Sequence, residues 1–164
     1  MKKLLHLLLV LPFIFTSCSD DDDDFDYAAN PIVGTWEFTK VEAKEVNVGT
    51  PELLTAITND IKKDDENASY TMTYTKDGKV TQVMGKEASV EGTYTVKDNV
   101  LTSTMTGGSI YISQIEFSGK TMTQLTDLTN YYKNKEVLEK LIGAEDAESA
   151  TVNKVTTLET FTKK

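Results

Sequence analysis

The 164-residue sequence predicts a mainly β protein, an eight-stranded antiparallel up-and-down barrel with two short helices as lids. Three observations carry this expectation. Threonine occurs 24 times, often alternating with larger residues as in "SYTMTYTKDGKV" and "EGTYTVKDNV"; period-two alternation marks strands with one buried and one wet face, and β-branched threonine suits the wet one. Turn signals at "KDGK", "MGKE", "KDNV", "TGGS" and "FSGK" begin near residues 76, 84, 97, 106 and 117, a spacing that makes short antiparallel hairpins. Two segments break the β pattern with helical periodicity, one beside each end of this meander.

In chain order, residues 33–43 predict the first strand. "TPELLTAITNDIKK" follows, with Thr50 as N-cap, Pro51 at the first helical position, Glu52 in the first turn and lysines in the last, and with Leu53, Leu54, Ile57 and Ile61 on one face. Residues 68–128 read as a six-strand meander. "NYYKNKEVLEKLIG" predicts the second helix, with Asn130 as cap, Val137, Leu138, Leu141 and Ile142 on a stripe and Gly143 as its stop. A last strand at about 150–161 brings the count to eight, enough to close the sheet and remove its exposed edges.

If Trp36 faces inward, alternation places Phe38 beside it, Tyr70, Met72 and Tyr74 on a second strand, and Val90, Tyr94 and Val96 on a third. These side chains either fill the barrel as its core or line a space for one small ligand. In strand 109–117 the inward face stays open: Ile110 and Ile112 share a side with Gln114 and Glu116, and Tyr111, Ser113, Ile115 and Phe117 share the other. Among strand acids, Glu37, Glu91 and Glu116 are the candidates for carboxylate catalysis; Glu37 and Glu91 fall opposite the Trp36 and Tyr94 faces, toward water. The expectation is a protein that is not an enzyme.

Composition narrows the chemistry further. The chain contains no arginine, one histidine (His6) and one cysteine (Cys18), and carries a formal charge of −9. Removal of residues 1–17 leaves 15 lysines against 26 acids and no histidine, a net −11. Such a surface excludes nucleic acid as a partner, since phosphate binding needs clustered positive charge. Histidine-based nucleophile activation and His-ligated zinc are excluded by inventory. No metal and no cofactor is expected.

The first residues explain the lone thiol. "MKK" followed by the apolar "LLHLLLVLPFIF" and small polar Thr16 and Ser17 has signal-peptide anatomy and is too short to span a membrane. Phe15, Thr16, Ser17 and Cys18 resemble the lipobox of bacterial lipoproteins, with Phe15 where that family most often has Leu. The resemblance implies cleavage before Cys18, acylation of its sulfur and of the new N-terminus with fatty chains such as palmitate, and a stable membrane anchor. Ser19 followed by Asp20, Asp21, Asp22, Asp23 and Asp24 resembles the export signal of Bacteroidetes-type surface lipoproteins, which implies an outer-membrane location facing outward; a periplasm-facing anchor is the alternative. Like charges keep residues 18–30 extended as an acidic, disordered tether between lipid and the domain at 31–164.

Gly34-Thr35-Trp36 opens the first strand with the G-x-W pattern of the lipocalin-like superfamily, which the chain resembles. In that family the tryptophan crosses the barrel base under an arginine from near the last strand; here Lys154 is the residue expected in that place. The resemblance implies a small apolar ligand. The alternative is a structural or accessory module that docks on another envelope protein and binds nothing small.

Overall fold

The computed structural model describes residues 30–85 and 88–164. The signal segment, Cys18, Ser19 and Asp20 to Asp24 lie outside the described residues. Eight strands close into one barrel, each antiparallel to its neighbours in sequence: β1 (Gly34–Val48), β2 (Tyr70–Tyr74), β3 (Lys79–Met84), β4 (Ala88–Lys97), β5 (Val100–Met105), β6 (Ile110–Ser118), β7 (Thr121–Asp127) and β8 (Val152–Lys163), with β8 returning to β1. Four helices interrupt the series: α1 (Pro51–Asn67) between β1 and β2, and α2 (Thr129–Tyr132), α3 (Lys135–Ile142) and α4 (Ala144–Ala147) between β7 and β8.

The local chemistry accounts for the turns. Asp98 and Asn99 sit at φ 52° and 63° between paired Lys97 and Val100, so "KDNV" is a two-residue turn with both central residues left-handed, whose twist matches the flanking strands. Gly92 answers a different need. A Cβ there would stand 2.3 Å from the Thr104 carbonyl oxygen, so β4 and β5 approach as closely as they do only because this position carries no side chain.

The barrel has two unlike ends. Its base is formed by the β2–β3, β4–β5 and β6–β7 hairpins together with the start of β1 and the end of β8, and residues 30–33 fold across it with Ile32 fully buried. At the other end β1 and β8 continue past the barrel, paired from Trp36–Lys163 to Val48–Val152 with three register shifts. This extension carries a second core: Leu53, Ile57 and Ile61 of α1 meet Tyr132, Leu138, Val152 and Val155. The first core lies inside the barrel around Trp36, Tyr74, Tyr94, Ile115 and Phe161.

Several element ends differ from the sequence expectations. β1 runs to Val48 and β8 to Lys163 because each keeps the other paired along the extension. Thr50 caps α1 as expected, accepting from the Leu53 amide at 3.2 Å, but the helix continues one turn past its lysines and ends in Asp64, Asp65 and Glu66. Leu54 is 41% exposed, off the buried stripe. The second helical segment is broken: Asn134, not Asn130, caps α3, its side chain accepting from the Glu136 amide at 2.9 Å. α3 packs on α1 and α2, so α1 alone stands as the lid at the mouth. Among the described residues no helix is long and apolar enough to cross a membrane.

Candidate functional site

Alternation along each strand decides what enters the barrel, and the six interior candidates divide by height. Trp36 (1% exposed) and Tyr94 (2%) lie at the base. The Trp36 indole N–H donates to the Ile32 carbonyl at 2.6 Å and its ring meets Phe117 at 5.7 Å; the Tyr94 hydroxyl donates to the Thr75 carbonyl at 2.8 Å. The cation over the tryptophan is Lys163, its Nζ 5.1 Å from the ring centroid. Lys154 instead pairs with Asp127 at 2.6 Å, because the strand register carries it to the far end of β8. Gly34, at φ 134°, keeps the Lys163 stem in place: a Cβ there would come within 2.8 Å of it.

Tyr74 closes the base beside Tyr94, the two rings 5.0 Å apart, and Met72 stands opposite Trp36, whereas Phe38 and Tyr70 lie higher, where the barrel is not filled. A chamber of about 170 Å³ is walled by Tyr70, Met72 and Tyr74 on one side and by Leu101, Met105 and Phe161 on others. It shares Tyr70, Gln82, Leu128, Thr157 and Glu159 with a groove of about 570 Å³ that opens beneath α1, walled by Phe38, Ile61, Asp64 and Ala68. Phe38 stacks on Tyr70 at 4.8 Å, and both meet Phe161 edge-on at 5.9 and 5.8 Å. The chamber alone is small, whereas the groove, and the two together, reach the few hundred Å³ typical of small-molecule sites.

Most of the rest of the chamber wall is polar. In β6 the inward face is Ser113, Ile115 and Phe117, while Ile110 (62% exposed) and Ile112 (59%) face out. Ser113 and Thr126 share a hydrogen bond at 2.8 Å, and Gln124 reaches the Tyr74 hydroxyl at 3.4 Å. Ser103 Oγ is buried with no hydrogen-bond partner. Glu159 faces inward from β8, accepting from the Tyr70 hydroxyl at 2.9 Å. Burial pushes its carboxyl above the usual range, and nearby Asp64 adds to the push. Asp64 is itself raised, by burial and then by Asp60, and burial raises the Tyr70 and Tyr74 hydroxyls as well.

The sequence reading missed Glu159, although a signal for it exists. In "VTTLETF" alternation from Phe161 puts Glu159 and Thr157 on the inward face. The named acids Glu37, Glu91 and Glu116 are all exposed. Among the described residues no three His, Cys, Asp or Glu side chains are placed to hold a metal ion.

The lipocalin-like domain family matches residues 32–124, more than half of the chain. The chain belongs to the lipocalin-like family. The closed eight-stranded barrel is the architecture that membership implies. Among solved structures it is similar to the crystal structure of Echinococcus granulosus fatty-acid-binding protein 1, at 12% identity and a TM-score of 0.38, covering 80% of this chain and 96% of that one. No curated protein matches it.

Proposed function

We propose that this lipocalin-like protein is a lipid-anchored binding module of a bacterial outer membrane, facing outward, that takes one small ligand with an apolar body and performs no catalysis on it. The observation that supports binding is the unfilled upper half of the barrel, where a chamber of about 170 Å³ continues into the groove under α1 and contains a buried hydroxyl without a partner. A core packed only for stability leaves few voids larger than a water molecule and few buried polar atoms unpaired. The lipobox ending in Cys18 and the acidic run Asp20 to Asp24 support the anchor and its outward address.

Native mass spectrometry of the protein purified from its own host tests the binding reading: a retained molecule of a few hundred daltons is expected. Metabolic labelling with a fatty-acid analogue tests the anchor, since Cys18→Ala should abolish the label while alanines at Asp20 to Asp24 keep it and reduce shaving by external protease. Undiminished label on Cys18→Ala sinks the anchor. A second reading, docking on another envelope protein, draws on the outer wall, where Val100, Ile110, Ile112 and Leu125 expose apolar surface on adjacent strands. An empty barrel that co-purifies with a stoichiometric protein partner would favour it.

A further inference from the structure

We infer that the ligand of this cavity is a cationic amine on an apolar body, its ammonium group at Glu159 and its hydrocarbon among Phe38, Tyr70 and Phe161; the inference rests on the binding reading above. Glu159 is the acid that β8 turns inward, and Tyr70 satisfies only part of it, since a carboxylate accepts about four hydrogen bonds. No lysine lines chamber or groove among the described residues. Glu159 is half-buried; a partly desolvated carboxylate without a cation is costly to keep, and a bound ammonium offsets that cost by making a charge-assisted hydrogen bond.

Three further observations point the same way. α1 ends at the groove in Asp64, Asp65 and Glu66 with no basic residue in its last turn, so acidic side chains stand where the helix's own carbonyls are already partially negative. Asp65 is taken up by the Val41 amide at 2.7 Å, but Asp64 lines the groove. The rings of Phe38, Tyr70 and Phe161 cluster beside the carboxylate, and aromatic faces attract a desolvated cation. Finally, Ser103 Oγ in the chamber wall is 4% exposed with no partner within hydrogen-bond distance, the Tyr74 hydroxyl being its polar neighbour, so it keeps an acceptor for a ligand N–H. A carboxylate head group would meet Glu159 and Asp64 as a like charge, and like-charge contact in a closed site is strongly unfavourable.

Calorimetric titration of the full chain with octylamine, octan-1-ol and octanoate separates charge from chain. Octylamine should bind about tenfold or more tightly than octan-1-ol, with octanoate weakest. Glu159→Gln should bring the amine-to-alcohol ratio near one. Glu116→Gln, which makes the same charge change on the outer wall, should leave that ratio in place and so controls for general attraction to an acidic protein. Octanoate binding best, amine and alcohol binding equally, or a ratio indifferent to Glu159→Gln would each overturn the inference while leaving apolar binding intact. Failure of all three compounds to bind would overturn the binding reading along with it.

Discussion

At the base of the barrel Trp36 is 1% exposed, its N–H has a carbonyl at 2.6 Å, and a lysine covers its face. Toward the mouth, Glu159 is half-buried with no lysine among the described residues lining the cavity, and below it space remains between the side chains beside Ser103, whose Oγ has no partner within hydrogen-bond distance. One end follows the rules of a stable core: apolar, filled, polar atoms paired. The other breaks them in the same volume, and broken local rules concentrate where a protein binds or reacts. The base therefore holds the closed shape against which the mouth can keep polar groups exposed to a cavity.

This contrast predicts opposite signs for mutations at the two ends. The largest effect belongs to the base: Trp36→Ala should cost about 3 to 5 kcal/mol, the scale for a large core aromatic, measured by denaturant unfolding. In the native protein the Trp36 emission should be blue-shifted and poorly quenched by acrylamide. A red-shifted, freely quenched tryptophan would show that the base is not closed, and the contrast would collapse.

At the mouth the sign reverses. Glu159→Gln should stabilise the unliganded protein at neutral pH by up to about 1 kcal/mol, because it removes a partly desolvated charge while keeping an oxygen for the Tyr70 hydroxyl. The pH dependence fixes the cause. The folded carboxyl sits above its ordinary value through burial, with Asp64 adding to the rise and Tyr70 opposing it, so between the unfolded pKa near 4.3 and the folded value the native state holds the extra proton. That contribution is full below the unfolded pKa and falls away as pH rises through the folded one. Glu159→Gln should flatten this decline. An unchanged slope of stability against pH would mean that Glu159 is solvated in the free protein.

The residues show why the base was legible from sequence and the mouth only partly so. Alternation is a local signal, and Trp36, Tyr74 and Tyr94 obey it through large side chains that announce their side of the strand. Polar inward residues obey the same alternation without announcing it. Thus Glu159 passed as another surface acid, and Ser113 left the face of β6 undecided until pairing with β5 and β7 fixed it. Long-range register was equally hidden. Lys154 and Lys163 both belong to the last strand, and only the β1–β8 pairing, which sets Trp36 opposite Lys163, tells which of them reaches the indole. Asn130 was a plausible cap by type, but β7 hands over to a separate four-residue helix before α3 starts at Asn134.

The smallest predicted effect sharpens that last distinction, because the two lysines make interactions of different kind. Lys163→Met keeps the stem packed on Gly34 and removes the charge over Trp36 and the contact of Nζ with the Pro31 carbonyl at 3.3 Å. It should cost about 0.5 to 1 kcal/mol, as for a cation over an aromatic face at an exposed site, and should shift the tryptophan emission. Lys154→Met breaks an ion pair whose side chains are 41% and 53% exposed, so at neutral pH it should cost a few tenths of a kcal/mol, less in high salt, with the emission unmoved. Acid separates them too. The hydrogen bond from Lys154 holds the Asp127 carboxyl down to about 2, so this pair contributes above the unfolded value near 3.9 and is lost as pH falls through the folded one. Lys163 meets the Trp36 ring and the Pro31 carbonyl, neither of which titrates there, so its contribution should persist through that window. If Lys154→Met shifts the emission and Lys163→Met does not, the register at the β1–β8 seam is wrong, and with it the placement of Glu159 inside the barrel.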